Sequence, residues 1–188
     1  ENISFNSVVG LNPSIIVNEY FDKKSINYFK FLENLITDLS KNASKVIVFP
    51  QSYSDIDNDN IFNDTKIIKY LNNKTDLKNV EFILEDLDIE NLFKIYDTID
   101  ICVTSRFHGM IMSIISNKIP VVIGWNHKYT EILDSLNLPE LNININNQTM
   151  HNTVKLCKNI SENYEEYVKK IYKKKPKLLA KEFTKILK

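Results

Sequence analysis

The chain has 188 residues, 43% hydrophobic and 26% charged, a balance that supports one buried core and a short tail. Basic and acidic residues stand at 24 each, so net charge gives no reason to expect bulk binding to nucleic acid. Three glycines, Gly10, Gly109 and Gly124, lie too far apart for a G-x-G-x-x-G dinucleotide loop or a G-x-x-x-x-G-K-[ST] phosphate loop. Two cysteines, Cys102 and Cys157, are too few for a disulfide scaffold or a multi-cysteine zinc knuckle. His108, His127 and His151 form no H-E-x-x-H pair, so no metal site is expected. No stretch reaches the ~18 apolar residues of a membrane helix, no signal peptide is read at the start, and free thiols point to a cytoplasmic setting. The chain opens on Glu1 rather than methionine, which suggests a piece of a longer protein.

In chain order, β-rich runs alternate with amphipathic ones, the mark of β/α repetition and a mainly parallel sheet of about six strands. The first strand covers 7–11 and ends at Asn12-Pro13-Ser14. Ile26, Phe29, Leu32, Leu35, Ile36 and Leu39 then recur on one helical face. A strand over 45–49 is cut off by Pro50, and a polar loop at 55–60 leads to a helix near 61–72. The third strand, 80–84, ends in Glu85-Asp86. Asp88 reads as the N-cap of a helix carrying Ile89, Leu92, Phe93 and Tyr96. A buried strand over 99–104 precedes a helix over 107–116. Pro120 opens a fifth strand over 121–124, followed by a helix over 129–136 and a weak sixth strand over 141–145. Two last helices, 152–172 and 177–187, are separated at Pro176. The expected division is an α/β domain over 1–150 and C-terminal helices over 151–188 packing on it.

An open parallel sheet binds ligands outside the carboxyl ends of its strands. Asn12 and Ser14, Gln51 and Ser52, Glu85 and Asp86, the run Ser105 to Gly109, and Asn126 to Lys128 should therefore share one rim, although polar strand ends are often only loops. Arg106 is the chain's single arginine among lysines. Its planar fork suits bidentate capture of a carboxylate or phosphate; the alternative is a structural arginine capping the sheet. His108 belongs to the side-chain type that exchanges protons near neutrality, and Gly109 would let an anion approach a helix N-terminus closely. Lys128 could clamp an anion or lie solvated, with Trp125 and Tyr129 as flat walls. Glu85 and Asp86 could serve as a base or bind hydroxyls. From Val168 onward nine lysines face one acid, Glu182. The plain reading is a surface helix, and the sharper one is contact with an anionic membrane face or lipid-linked substrate.

The stretch from Asp97 to Leu138 resembles the signature region of the polysaccharide pyruvyl transferase family. It holds an Ile99-Asp100-Ile101 strand, the Ser105-Arg106-Phe107-His108-Gly109 turn, an Ile119-Pro120-Val121-Val122-Ile123-Gly124 strand, Lys128 and Leu136-Asn137-Leu138. Gly10 to Ser14 and Pro50-Gln51-Ser52 agree more loosely. Where the family often has glycine before the strand proline, this chain has Asn117-Lys118-Ile119, and asparagine tolerates a left-handed turn. The resemblance implies a GT-B-like enzyme of two Rossmann-like halves. This chain would be the C-terminal, donor-binding half, with the N-terminal half missing. It implies transfer of the enolpyruvyl group of phosphoenolpyruvate to a sugar of a cell-surface polysaccharide or its precursor, forming a pyruvate ketal. Arg106 and His108 would hold or activate the donor. Substrate contacts would come from Ser105, Gly109, Asn12, Ser14, Gln51, Ser52, Glu85, Asn126 and Lys128. No separate cofactor is implied, and an acceptor on a lipid carrier would bring the enzyme to the inner face of the membrane. A nucleotide-sugar-dependent GT-B glycosyltransferase half and a non-catalytic interaction module stay open as other classes.

Overall fold

The computed structural model describes residues 5–51, 64–146 and 148–186, without the side chains of 177 and 179–186. Six parallel strands form one sheet: β1 (Val8–Asn12), β2 (Lys45–Val48), β3 (Val80–Phe82), β4 (Ile101–Thr104), β5 (Ile119–Gly124) and β6 (Asn142–Asn144). Their order is β3-β2-β1-β4-β5-β6, with Val9 opposite both Val46 and Ile101. This is the Rossmann order, in which the chain reverses direction of travel between β1 and β4. Eight α-helices are described: α1 (Asn18–Asp22), α2 (Tyr28–Asn42), α3 (Asp64–Lys74), α4 (Ile89–Thr98), α5 (Phe107–Ile115), α6 (His127–Ser135), α7 (Thr149–Glu162) and α8 (Tyr164–Ile186).

Strand alternation sorts the core. Val46, Val48, Ile101 and Val103 join the large cluster that holds Leu32, Leu35 and Ile36 of α2, Ile67 and Ile68 of α3, and Val154 and Cys157 of α7. Ile47 and Cys102 point the other way and meet Leu92 and Tyr96 of α4 and Met112 of α5. A sheet covered on both faces needs continuous apolar strands, and β4 is buried at all four positions. Both cysteines are buried, and burial pushes the Cys102 thiol up to about 11.

Helix ends follow local chemistry. Asn27 accepts the Lys30 N–H at 2.9 Å, and Asp88 accepts the Asn91 N–H at 2.7 Å, as its N-cap reading requires. Asn117 has φ 57°, the left-handed turn foreseen for it. The Lys118 N–H reaches Ser113 O at 2.8 Å, closing a Schellman motif at the end of α5. Asn137 (φ 58°) and Ser25 (φ 56°) end α6 and α1 in the same way.

Three expectations are corrected. Helix α1 was not anticipated, because five residues are too few to show a helical period. The last two helices part at Asn163, not Pro176. Asn163 Nδ2 folds back on Asn159 O at 2.9 Å, while Pro176 lies inside α8. The carbonyl that loses its partner there belongs to Tyr172, an exposed residue on the outer side of the helix. Pro120 lies within β5 rather than opening it. The Ile119 N–H faces Asp100 on the β4 side, so the nitrogen of Pro120 faces β6, where pairing starts only at Val122. Side chains from the C-terminal helices (Val154, Cys157, Ile160, Tyr167, Ile171 and Leu178) enter the sheet's own core.

Candidate functional site

The reversal of strand order leaves a crevice at the carboxyl ends of β1 and β4, where two loops diverge. The residues there are polar, buried and paired. Asn12 Nδ2 donates to Phe49 O at 3.1 Å, while its Oδ1 accepts from Thr104 Oγ1 at 2.9 Å. Thr104 Oγ1 in turn accepts the Arg106 N–H at 3.0 Å. The Ser14 N–H lies 3.1 Å from Ser105 Oγ and 3.2 Å from the Tyr28 hydroxyl. Ser105 O accepts from both Trp125 Nε1 and Tyr129 Oη at 3.0 Å. Burial raises the Tyr28 hydroxyl, and raises that of Tyr129 to about 12, so both stay protonated and Tyr129 keeps the proton it donates to Ser105 O. Trp125 and Tyr129, expected as flat walls, also brace the turn that starts at Ser105.

Arg106 follows in that turn. Its Nε and Nη2 meet Asp64 Oδ2 and Oδ1 at 2.9 and 2.6 Å, a bidentate pair in which Asp64 is fully buried and the arginine side chain 14% exposed. Asp64 Oδ1 also accepts the Ile15 N–H at 3.2 Å. One edge of the guanidinium fork therefore closes on the chain's own carboxylate and pins the first turn of α3 to the rim. This edge follows the structural alternative for Arg106, and the pair is electrically balanced. Sequence reasoning missed Asp64, which falls inside the helix expected near 61–72 with nothing to mark it. Nothing in the spacing aims its carboxylate at a turn 42 residues on.

Arg106 is also the N-cap of α5, and no side-chain cap bonds its first turn. Among the described residues the N–H groups of Phe107, His108 and Gly109 find no acceptor, so the positive end of α5 faces the crevice uncapped. His108 is exposed and helps line a cleft of about 370 Å³ with Gln51, Leu87, Leu92 and Met112. Arg106 and His108 thus leave the turn toward different neighbours, the first toward α3 and the second toward this cleft. Gln51 Oε1 is buried there and, among the described residues, has no hydrogen-bond partner. The room that Gly109 leaves is filled by the protein. A Cβ would collide with Thr104 Oγ1, Asn12 Oδ1 (2.5 Å) and Gln51 Oε1 (2.9 Å), so the glycine seats α5 against the ends of β1 and β4.

The other candidates are spread along the same rim. Asn126 caps α6, its Oδ1 accepting the Lys128 N–H at 3.0 Å, and Lys128 itself is exposed. Glu85 and Asp86 are exposed beyond β3, His151 is exposed on α7, and Ser52 lies outside the described residues. Among the described residues no three His, Cys, Asp or Glu side chains converge as metal ligands would, and no helix is long and apolar enough to cross a membrane.

A six-stranded parallel sheet in this order, with helices on both faces, defines an α/β protein of Rossmann type. The family model described as polysaccharide pyruvyl transferase matches residues 6–127, from before β1 through the N-terminus of α6, and the chain belongs to that family. Among solved structures, one assigned as a UDP-N-acetylglucosamine 2-epimerase from Listeria monocytogenes superposes with a TM-score of 0.55. Its identity is 11%, over 92% of this chain and 41% of that one. The N-terminal domain of Candida albicans trehalose-6-phosphate phosphatase gives a TM-score of 0.49 at 13% identity, over 95% and 40%. At such identity the first likeness is one of fold, and the chain spans about two fifths of the length of each structure. No curated protein matches the sequence.

Proposed function

We propose that this chain is the donor-binding half of a transferase that takes phosphoenolpyruvate and builds a pyruvate ketal on two hydroxyls of a sugar. The reading is carried by one observation: the Ser105-to-Gly109 turn, held by buried hydrogen bonds, leaves three α5 N–H groups without an acceptor among the described residues, at the switch point beside His108. A small polyanion is the ligand such amides favour. Because Asp64 balances the charge of Arg106, the amides of α5 are the principal anion contact, and Arg106 holds the turn and adds a local dipole.

His108 protonates C3 of the enol, turning CH2 into CH3 and making C2 electrophilic. One sugar hydroxyl adds its oxygen to C2. The C2–O bond to phosphate breaks, and a second hydroxyl closes the ketal. Of the two hydroxyl protons released, one replaces that given by His108 and the other leaves on inorganic phosphate. A partner half facing this rim would close the cleft over the acceptor.

Calorimetry with phosphoenolpyruvate against a panel of nucleotide sugars tests the donor. Binding of phosphoenolpyruvate supports the reading, and binding of nucleotide sugars alone overturns it. In the full enzyme His108→Ala should lower turnover by about 10²–10⁴ with donor affinity little changed. Equal loss of affinity and turnover would make His108 a binding group rather than the acid.

A further inference from the structure

A second cleft, of about 430 Å³, opens on the same carboxyl rim at the ends of β5 and β6. Its walls come from Tyr20 of α1, Trp125 after β5, Thr130 of α6, and Asn142 and Asn144 of β6. The rings of Tyr20 and Trp125 lie 4.8 Å apart, tilted by 42°. Among the described residues no carboxylate lines this cleft, and its basic lining groups are Lys24 and His127, which disfavours a cationic ligand.

Asn142 is the informative residue. Its Nδ2 donates to Thr130 Oγ1 at 3.0 Å, while its Oδ1 is buried with no hydrogen-bond partner among the described residues. A buried carbonyl left unpaired is costly, so a native chain that keeps one at a cleft wall invites a donor from outside. Glycine at 124 leaves room for that carboxamide, because a Cβ there would collide with it. Asn12, the carboxamide at the switch point, has both ends satisfied by the chain.

We infer that this cleft is a saccharide subsite holding one sugar ring of the acceptor, with Asn142 as its polar anchor. Only the word acceptor rests on the transferase reading above; recognition of a sugar ring stands on the cleft itself. A pyranose offers an apolar C–H face, which suits aromatic walls, and a rim of hydroxyls that both donate and accept. Carboxamides complement such hydroxyls, and the Oδ1 of Asn142 takes a hydroxyl proton. Trp125 joins the two sites: it lines this cleft while its Nε1 bonds Ser105 O at 3.0 Å, so a ring resting there lies beside the donor turn.

Trp125 is the chain's single tryptophan, so its indole N–H resonance is an unambiguous reporter. Titration with methyl glycosides of common hexoses and N-acetylhexosamines should shift that resonance for at least one sugar, with a millimolar dissociation constant. Asn142→Ala should weaken binding by roughly tenfold, the loss of one or two hydrogen bonds. It should melt no lower than the wild type, since the unpaired oxygen goes with the side chain. Tyr20→Leu, which removes a ring wall and spares the carboxamide, should also weaken binding. The inference is overturned if no glycoside moves the signal, if both variants bind like the wild type, or if UDP moves it and no glycoside does. Phosphoenolpyruvate calorimetry on the same protein separates the two readings. Donor binding without a sugar response sinks the subsite alone, and a sugar response without donor binding sinks the donor reading alone.

Discussion

Two polar patches share the carboxyl rim and differ in how their hydrogen bonds close. At the β1/β4 switch point Asn12, Ser14, Thr104, Ser105 and Asp64 are buried and find partners within the chain. Gln51 Oε1 is the exception there, and at the ends of β5 and β6 Asn142 likewise keeps one end of its carboxamide unpaired among the described residues, against a second cleft. The first plan fixes a backbone turn before any ligand arrives, so little ordering remains to be done on binding. The second leaves an acceptor whose partner must come from elsewhere. A rim can thus hold a turn fixed in advance beside a surface still open to an outside donor.

The largest expected effect tests the closed plan. Asp64→Ala leaves a mostly buried guanidinium without its bidentate partner and should cost about 3–5 kcal/mol, read from denaturant midpoints. Replacing both partners together, Asp64→Leu with Arg106→Met, should recover much of that loss, because the pair's desolvation penalty disappears with it. A cost below about 1 kcal/mol for Asp64→Ala, the range of exposed pairs, would mean that the pair is solvated and the turn is not pinned.

Alkaline titration probes the hydroxyl donors of the same network. Burial raises Tyr129 from 10.0 to about 12, ahead of the opposing effects of Trp125 and Arg106. Below pH 10 both folded and unfolded chains keep this proton, and its stabilisation is fully present. From pH 10 to about 12 the unfolded chain loses the proton first, so stability falls as pH rises, by on the order of 2–3 kcal/mol for this group. Tyr129→Phe should remove about one proton's worth of that slope in denaturant titrations at stepped pH. An unchanged slope would place the hydroxyl in water.

Gly109→Ala comes next, at about 1–3 kcal/mol, since its Cβ would drive into three oxygens that hold the ends of β1 and β4. If the variant melts like the wild type, the contact between α5 and the strand ends is looser than the switch-point network requires.

Much of this architecture was legible in the residues. Parallel strands buried on both faces leave apolar runs such as Ile101 to Val103, and the cap at Asp88 and the left-handed Asn117 follow from side-chain chemistry within a few positions. The Ser105-to-Gly109 turn was legible for the same reason, since all its parts are neighbours in sequence. What could not be read depends on contacts between distant segments. Asp64 meets Arg106 across 42 positions, and the room at Gly109 is taken by side chains from β1, from β4 and after β2. Asn142 and Gly124 complement each other from adjacent strands, and no periodicity records that fit. Spacing locates a rim; which of its polar groups already have partners emerges only once the strands are side by side.

The smallest effect isolates backbone strain away from both patches. Ser25, Asn117 and Asn137 all end helices with φ between 56° and 58°, a region that costs most side chains energy and costs glycine none. Asparagine meets that demand partly through its own polar side chain, whereas serine has less means to do so. Ser25→Gly should therefore raise stability by about 0.5–1 kcal/mol, and Asn137→Gly by only a few tenths. Both are measured as shifts in thermal midpoint. Because Ser25 belongs to neither hydrogen-bond plan, Ser25→Gly should leave the response of Trp125 to sugars unchanged. A change in that response would show that α1, which supplies Tyr20 to the cleft wall, is set by the turn after it as well as by the packing of its rings.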